Sequence, residues 1–177
     1  RRHEGRRGGG LGHHRRGRAR GRPSTVTAMP LITVVGIGAD GWGALPESTR
    51  GRVLAADVLL GGERQLAMVP AVEGQRREPW PTPLRDGLPG LLDSLDGGVV
   101  VLASGDPLVA GIGTTLVDLL GSDAVEIEPA LSSAALARAR LAWPAETVVT
   151  VRDARTLPRH VAPRRRILLL SADERTP

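Results

Sequence analysis

Gly97 to Gly121 reads GGVVVLASGDPLVAGIGTTLVDLLG, and the order of its residue types decides the fold. Val99-Val100-Val101-Leu102 is an aliphatic run too short for a helix and preceded by two glycines. Such a run is a strand buried on both faces of a parallel sheet. It passes into Ala103-Ser104-Gly105-Asp106-Pro107, small residues around one carboxylate. Gly111 and Gly113 then lead into Thr114–Leu119, with Leu116, Leu119 and Leu120 at helical spacing. Strand, small polar loop and helix form the unit that places a ligand at the carboxyl end of an α/β sheet. A plain tight turn uses the same Gly-Asp and Asp-Pro pairs. The apolar strand before the loop and the two glycines after it favour the floor of a binding site.

Outward from this unit the chain alternates strand and helix. Leu31–Val35 is the first expected strand, followed by the turn Gly36-Ile37-Gly38-Ala39-Asp40-Gly41. Pro46 suits the first turn of a helix reaching about Ala56. Asp57–Leu60 is a second strand stopped by Gly61-Gly62, and Glu63–Met68 is a short helix. Ala71 to Pro83 reads mostly as loop, with a short extended piece near Trp80. Leu84–Leu95 reads as a helix, weakened in its first half by Gly87, Pro89 and Gly90. Ala124–Glu128 is another strand, and Pro129 starts the crossing into a second domain. Ser132 stands at the N-cap of a helix over Ser133–Ala142. Strands at Thr147–Val151 and Ile167–Leu170 enclose the basic stretch Arg152–Arg166. The expected class is therefore α/β in two domains. A mostly parallel sheet occupies 29–128, and an α/β domain at 129–177 has too few elements for an independent core and reads as truncated.

Residues 1–28 hold nine arginines, seven glycines and three histidines with almost nothing apolar, the composition of a disordered tail. Met29 follows directly and reads as the natural start. The chain carries a formal net charge of +5, but from Met29 onward 15 arginines face 18 acids. The basic character thus belongs to the tail, and the globular part implies no specific nucleic-acid partner. With no cysteine, lysine, phenylalanine or tyrosine, disulfides, thiolate metal sites, Schiff bases and Walker-type phosphate loops are excluded. The four histidines have no metal-ligand spacing, and no serine, histidine and acid constellation is visible. Neither a secretory signal nor a membrane span is apparent, and a cytoplasmic location is expected. The Gly36-x-Gly38-x-x-Gly41 spacing also matches a dinucleotide fingerprint, but Gly41-Trp42-Gly43 prolongs the loop and Asp57 begins the second strand instead of ending it. A non-catalytic remnant whose Arg-Gly tail binds RNA is the alternative from another class.

Four segments in order resemble the tetrapyrrole (corrin and porphyrin) methylase family: VVGIGADG at Val34–Gly41, ADVLLGGERQL at Ala56–Leu66, LASGDPLVAGIGTTL at Leu102–Leu116, and PALSSAALARARLAWP at Pro129–Pro144. The second and fourth are most similar to members that methylate a precorrin at C5 on the way to cobalamin. Another ring position is the nearest competitor. The resemblance implies S-adenosylmethionine bound in a cleft between two domains. Carried over by position, its contacts are Ser104, Gly105, Asp106 and Val109 in the loop, Ser132 and Ser133 from the second domain, Ala39, and Leu170 through its main chain. Gly36, Gly38 and Gly41 would line the trough of a precorrin tetrapyrrole substrate. Arg64, Arg138 and Arg140 are candidates for its carboxylates; the last two lie two apart on one helix, so at most one points squarely into the cleft. The activated methyl group needs alignment more than a nucleophilic side chain, so no catalytic residue is assigned. The resemblance leaves room for a homo-oligomer and for a second methyltransferase domain, separate or fused. The chain departs from the family at Val151–Arg155, which lacks a His-Gly-Arg, and in the strands and helices expected after ILLLSADERTP.

Overall fold

The computed structural model describes residues 31–170. The expectations for the Arg/Gly-rich tail and for the chain after Leu170 lie outside the described residues. Within them, five strands form one parallel sheet: β1 (Ile32–Ile37), β2 (Val58–Gly61), β3 (Arg76–Pro79), β4 (Val99–Ser104) and β5 (Val125–Glu128). Their order across the sheet is β3-β2-β4-β1-β5. The connections run outward from β1 to β2 and β3, return to β4, then cross β1 to reach β5. β1 and β4 therefore lie side by side at the centre with their carboxyl ends together, in the register Gly36 with Ala103 and Ile37 with Ser104.

Alternation along the strands divides the core into two layers. On one face Ile32, Val34, Val58, Leu60, Val99, Val101 and Ala103 pack against α3 (Leu84–Asp93) and α4 (Ile112–Leu120), through Leu88, Leu92 and Leu116. On the other, Val35, Ile37, Leu59, Val100 and Leu102 meet α1 (Glu47–Ala55) and α2 (Glu63–Met68), through Val53, Leu54, Leu66 and Met68. Val99 through Ala103 are all buried, as a strand covered on both faces must be. α3 forms despite Pro89 because Leu88 and Leu92 anchor it while Pro89 faces solvent. Gly87 lets it in close: a Cβ there would stand 2.6 Å from the Pro81 side chain.

The sequence leads to the right elements, with two informative differences. β1 runs two residues further than expected, so Gly36 and Ile37 belong to the sheet and not to the turn. β3, Arg-Arg-Glu-Pro, lies in a stretch read mostly as loop because it has no apolar pattern. Side-chain hydrogen bonds hold it at the sheet edge instead. Arg77 donates to the carbonyls of Leu66 (3.2 Å), Val69 (2.9 Å) and Pro70, and Arg76 to that of Ser94 (3.0 Å). The other edge, β5, is also polar on one face. Arg52 of α1 bridges Glu126 (2.9 Å) and Glu128 (2.8 Å), and Thr49 donates to Glu128 at 2.7 Å. Hydrogen bonding to Glu126, with the charges of both carboxylates beside it, raises the Arg52 pKa. Charges on the inward face of an edge strand discourage pairing with further chains.

After β5 the chain forms α5 (Ser133–Leu141) and a two-stranded parallel sheet of β6 (Val148–Val151) and β7 (Arg166–Leu169). A 3₁₀ turn over Ala154–Arg159 occupies the basic stretch between them. No helix among the described residues is long and apolar enough to cross a membrane.

Leu60 is fully buried between the sheet and α3, whereas Leu119 is 47% exposed on α4. Leu60→Ala should cost about 3 kcal/mol by removing side-chain contacts and leaving a cavity, and Leu119→Ala under about 1 kcal/mol. Urea unfolding of the two variants checks the difference.

Candidate ligand site at the carboxyl ends of the strands

Three chain segments converge where β1, β4 and β5 end. The Gly105 amide donates to the Ile37 carbonyl at 2.7 Å, extending the β1–β4 pairing into the loop. A Cβ on Gly36 would lie 2.2 Å from the Gly105 carbonyl oxygen and 2.7 Å from the Ala130 nitrogen. Both are backbone atoms, so neither can swing aside. Gly105 has φ +62°, and its own Cβ would meet the Leu131 carbonyl oxygen at 3.2 Å and Ser132 Cα at 3.3 Å. Glycine is required at both positions for different reasons, contact at Gly36 and contact plus a left-handed backbone at Gly105.

The loop leaving β4 is held at many points. The Asp106 carboxylate accepts from the Leu108 amide (2.9 Å), and the Asp106 carbonyl from the Val109 amide (3.0 Å). Thr114 Oγ1 donates to the Leu108 carbonyl at 3.3 Å. Pro107 is fully buried, and a Cβ on Gly111 or Gly113 would sit 2.5 or 2.8 Å from its carbonyl oxygen. Ala110 is forced to φ +58°, a left-handed conformation that costs a non-glycine residue free energy. The loop is thus fixed in advance of any ligand, with Ser104 exposed and Asp106 and Val109 half-buried along it.

Of the sequence candidates, the structure brings Gly36, Ser104, Gly105, Asp106, Val109 and Ser132 to this junction. Ser132 also caps α5, its Oγ accepting from the Ala135 amide at 3.1 Å, and Ser133 is exposed on the first helical turn. Gly38 to Gly41 form a tight turn closed by the Gly41 amide on the Gly38 carbonyl (3.1 Å), with Ala39 exposed at its tip. Gly41 has φ +76° and open space around it. The turn feeds a 3₁₀ segment, and α1 starts only at Glu47, an acidic first residue. No helix N-terminus therefore stands behind these glycines to receive a pyrophosphate. Asp57 accepts from the Gly98 amide (2.7 Å) at the amino end of β2, the opposite end from a ribose. The Leu170 amide donates to the Val151 carbonyl at 2.8 Å. Arg64 is exposed on α2, and Arg140 on α5. Arg138 is half-buried, and its Nε is the one buried side-chain nitrogen or oxygen among the described residues without a hydrogen-bond partner.

The sequence reading passed over a pocket of about 240 Å³ on the β2 side of the same loop. Gly62, Gln65, Trp80, Ser104, Val109 and Gly111 are among its lining residues. Trp80 had a visible signal as one of three aromatic residues in a chain without Phe or Tyr. Ala110 and Gln65 lie within the Leu102–Leu116 and Ala56–Leu66 segments without standing out by residue type. The charge distribution is uneven as well: residues 31–128 hold six arginines and fourteen acids, residues 129–170 eight arginines and two acids. In the second set Arg155 ion-pairs Asp153 at 2.8 Å, holding that carboxyl below its usual range, and Arg166 lies over the Trp143 ring at 5.6 Å. Among the described residues no cluster of three potential metal ligands exists.

The family profile of tetrapyrrole (corrin/porphyrin) methylases matches residues 31–176. The chain is 42% identical over 150 residues to precorrin-6Y C(5,15)-methyltransferase [decarboxylating] of Mycobacterium tuberculosis, covering 83% of this chain and 38% of that protein. It is 40% identical over 107 residues to cobalt-precorrin-7 C(5)-methyltransferase of Salmonella typhimurium, covering 58% and 51%. Among solved structures, the cobalamin biosynthesis precorrin-6Y methylase of Archaeoglobus fulgidus superposes with a TM-score of 0.65 at 28% identity, over 84% of this chain and 76% of that one. The chain spans well under two thirds of the length of these two curated relatives. It belongs to the tetrapyrrole methylase family.

Gly36→Ala should force the three segments apart and lower the melting temperature by roughly 5 °C or more. Gly43→Ala, with nothing within 4 Å of the added carbon, should leave it nearly unchanged. Calorimetric melting of the two variants against the parent tests the close approach directly.

Proposed function

We propose that this tetrapyrrole methylase binds S-adenosylmethionine across the β1–β4–β5 junction and directs its methyl group to a carbon of a precorrin in cobalamin biosynthesis. C5 is the position that the names of the Mycobacterium tuberculosis and Salmonella typhimurium relatives share, and the match to both supports it here. The carrying observation is the preformed Ser104–Gly111 loop, tied to β1 through Gly105 and abutting the start of α5 at Ser132. That arrangement supports one ligand held by main-chain groups of both parts of the chain.

The residues fit the cofactor's chemistry. Asp106 keeps one carboxylate oxygen on the Leu108 amide and has a second for a cationic or N–H group. Ser104 is exposed two residues before it and Ser133 on the first turn of α5, and Leu170 follows directly on β7. When bound, S-adenosylmethionine supplies a methyl group already activated by positive sulfur. The chain's task is then to hold and orient both reactants, which needs rigidity more than acid–base groups. The strained, over-determined loop supplies that rigidity. For the many carboxylates of a precorrin, the basic part of the chain after Pro129 is the natural counterpart. Arg138, half-buried on α5, is the leading candidate. Arg64, Gly36, Gly38 and Gly41 remain assigned to the substrate side, and Ala39 and Val109 to the cofactor side.

Calorimetry on the full chain should give binding heat with S-adenosylhomocysteine and none with NAD; the reverse would sink the assignment. Gly105→Val should abolish the binding, since a branched side chain cannot share the space of Leu131 and Ser132 at φ +62°. Asp106→Asn separates charge from geometry. It keeps the oxygen that accepts from Leu108, so affinity for neutral S-adenosylhomocysteine should hold while that for cationic S-adenosylmethionine falls roughly fivefold. Equal losses for both ligands would deny Asp106 an electrostatic role.

A further inference from the structure

The Ser104–Gly111 loop has two sides, and the glycine junction uses only the one facing β1, β5 and Ser132. The other side faces β2 and β3 and bounds the pocket of about 240 Å³. Trp80 forms a wall of it. Its amide donates to the Gly61 carbonyl at 3.2 Å, continuing the β2–β3 pairing past Pro79 and fixing where the indole stands. Gly62 lies against both lining side chains: a Cβ there would meet Gln65 Oε1 at 2.7 Å and sit in ordinary contact with Trp80 Cδ1 at 4.0 Å. Leu102, Val109 and Ile112 add aliphatic surface to a lining of mixed polarity, which also includes Ser104. Gln65 is half-buried at the first turn of α2 and lines the pocket.

Resting on the proposed function, the geometry points to this pocket as the seat for one pyrrole-type ring at the edge of the tetrapyrrole, packed against Trp80. Gln65 accepts and donates to a substituent of that ring. The chemistry selects a flat, apolar body with a polar side arm, because the pocket offers an aromatic face, aliphatic contacts and one amide with both hydrogen-bond polarities. Its volume admits one ring and a short substituent, and its open mouth leaves the remainder of a macrocycle outside. Ala110 is the device that shapes it. Its left-handed backbone turns the chain between Val109 and Gly111, which both line the pocket. A ring seated here and a cofactor at the glycine junction would meet along one rigid loop, with Val109 and the exposed Ser104 at the boundary. Trp80 and Gln65 are therefore positioning residues, which set where the ring edge comes to rest.

The test is a titration of the full chain with uroporphyrin III, an air-stable tetrapyrrole polycarboxylate, followed by the shift of its Soret band. S-adenosylhomocysteine binding is measured in parallel by calorimetry. Trp80→Ala should weaken porphyrin binding roughly tenfold, and Trp80→Phe should restore most of it. The affinity for S-adenosylhomocysteine should stay within about twofold in both variants, which also shows that they are folded. Porphyrin binding indifferent to Trp80→Ala would overturn the assignment. A loss confined to S-adenosylhomocysteine would overturn it too, giving the pocket to the adenine ring. A parent chain that binds S-adenosylhomocysteine but no porphyrin would remove the substrate reading itself, a result distinct from porphyrin binding that ignores Trp80.

Discussion

Everything at the carboxyl end of the sheet depends on one close approach of backbone to backbone. Gly36 in β1, Gly105 after β4 and the Ala130–Ser132 segment after β5 come together with no room for a side-chain carbon between them. The contact can form only because β1 and β4 are neighbours with their ends level, which the strand order β2-β4-β1-β5 imposes. It fixes where α5 begins, since Ser132 both touches Gly105 and caps that helix. A glycine inside a strand ordinarily weakens it. Here the loss is offset by burial on both faces of β1, whose six residues are all buried.

The sheet reaches this arrangement with an unequal distribution of apolar residues. β1, β2 and β4 are aliphatic and buried, while the edge strands β3 and β5 are polar. Arg77 ties β3 to the carbonyls at the end of α2, and Gln75 Nε2 ties the segment before it to Val53 (2.9 Å) and Ala56 (3.1 Å) at the end of α1. These bonds occupy carbonyls that a helix end leaves without intrahelical partners. On β5 the Arg52–Glu126–Glu128 group is partly exposed and contributes modestly to stability. Its larger effect is negative: a strand carrying two carboxylates on one face is a poor template for another chain.

How much of this the sequence reveals follows from the same distribution. β4, with four consecutive aliphatic residues and a small-residue loop, is legible because burial on both faces leaves an unbroken apolar run. β3 is not, because its stability comes from guanidinium contacts to residues remote in sequence, which no local period records. Gly36 reads as the first residue of a turn, since nothing local says that a glycine so near a strand end is paired to Ala103. The site shows the same division. Gly105 and Asp106 stand out by type and position, and Ser132 by its place before a helix. The pocket beside Trp80 joins residues of the Ala56–Leu66 and Leu102–Leu116 segments to Trp80 between them, and only the fold brings these together. Trp80 is the partial exception, because a chain with three aromatic residues rarely spends one on a loop without a surface for it to cover.

Electrostatics ties the two parts of the chain to one ligand chemistry. An excess of acids up to Glu128 and of arginines after it would, in an uncomplexed protein, draw the parts together. Yet the ion pairs among the described residues stay within each part: Arg52 with Glu126 and Glu128, Arg76 with Glu78, Arg155 with Asp153. The arginines after Pro129 are therefore not spent on the acids before it. Most lie exposed, where salt screens them beyond about 10 Å, but Arg138 holds a buried Nε with no acceptor. Leaving a buried donor unpaired costs on the order of 1–3 kcal/mol, a cost that persists in a fold only where packing or a ligand compensates it. Helical rise puts Arg138 about 9 Å along α5 from Ser132, the residue beside Gly105. On the proposed reading, a cationic cofactor beside Asp106 and a polyanion before α5 each face the charge that suits them.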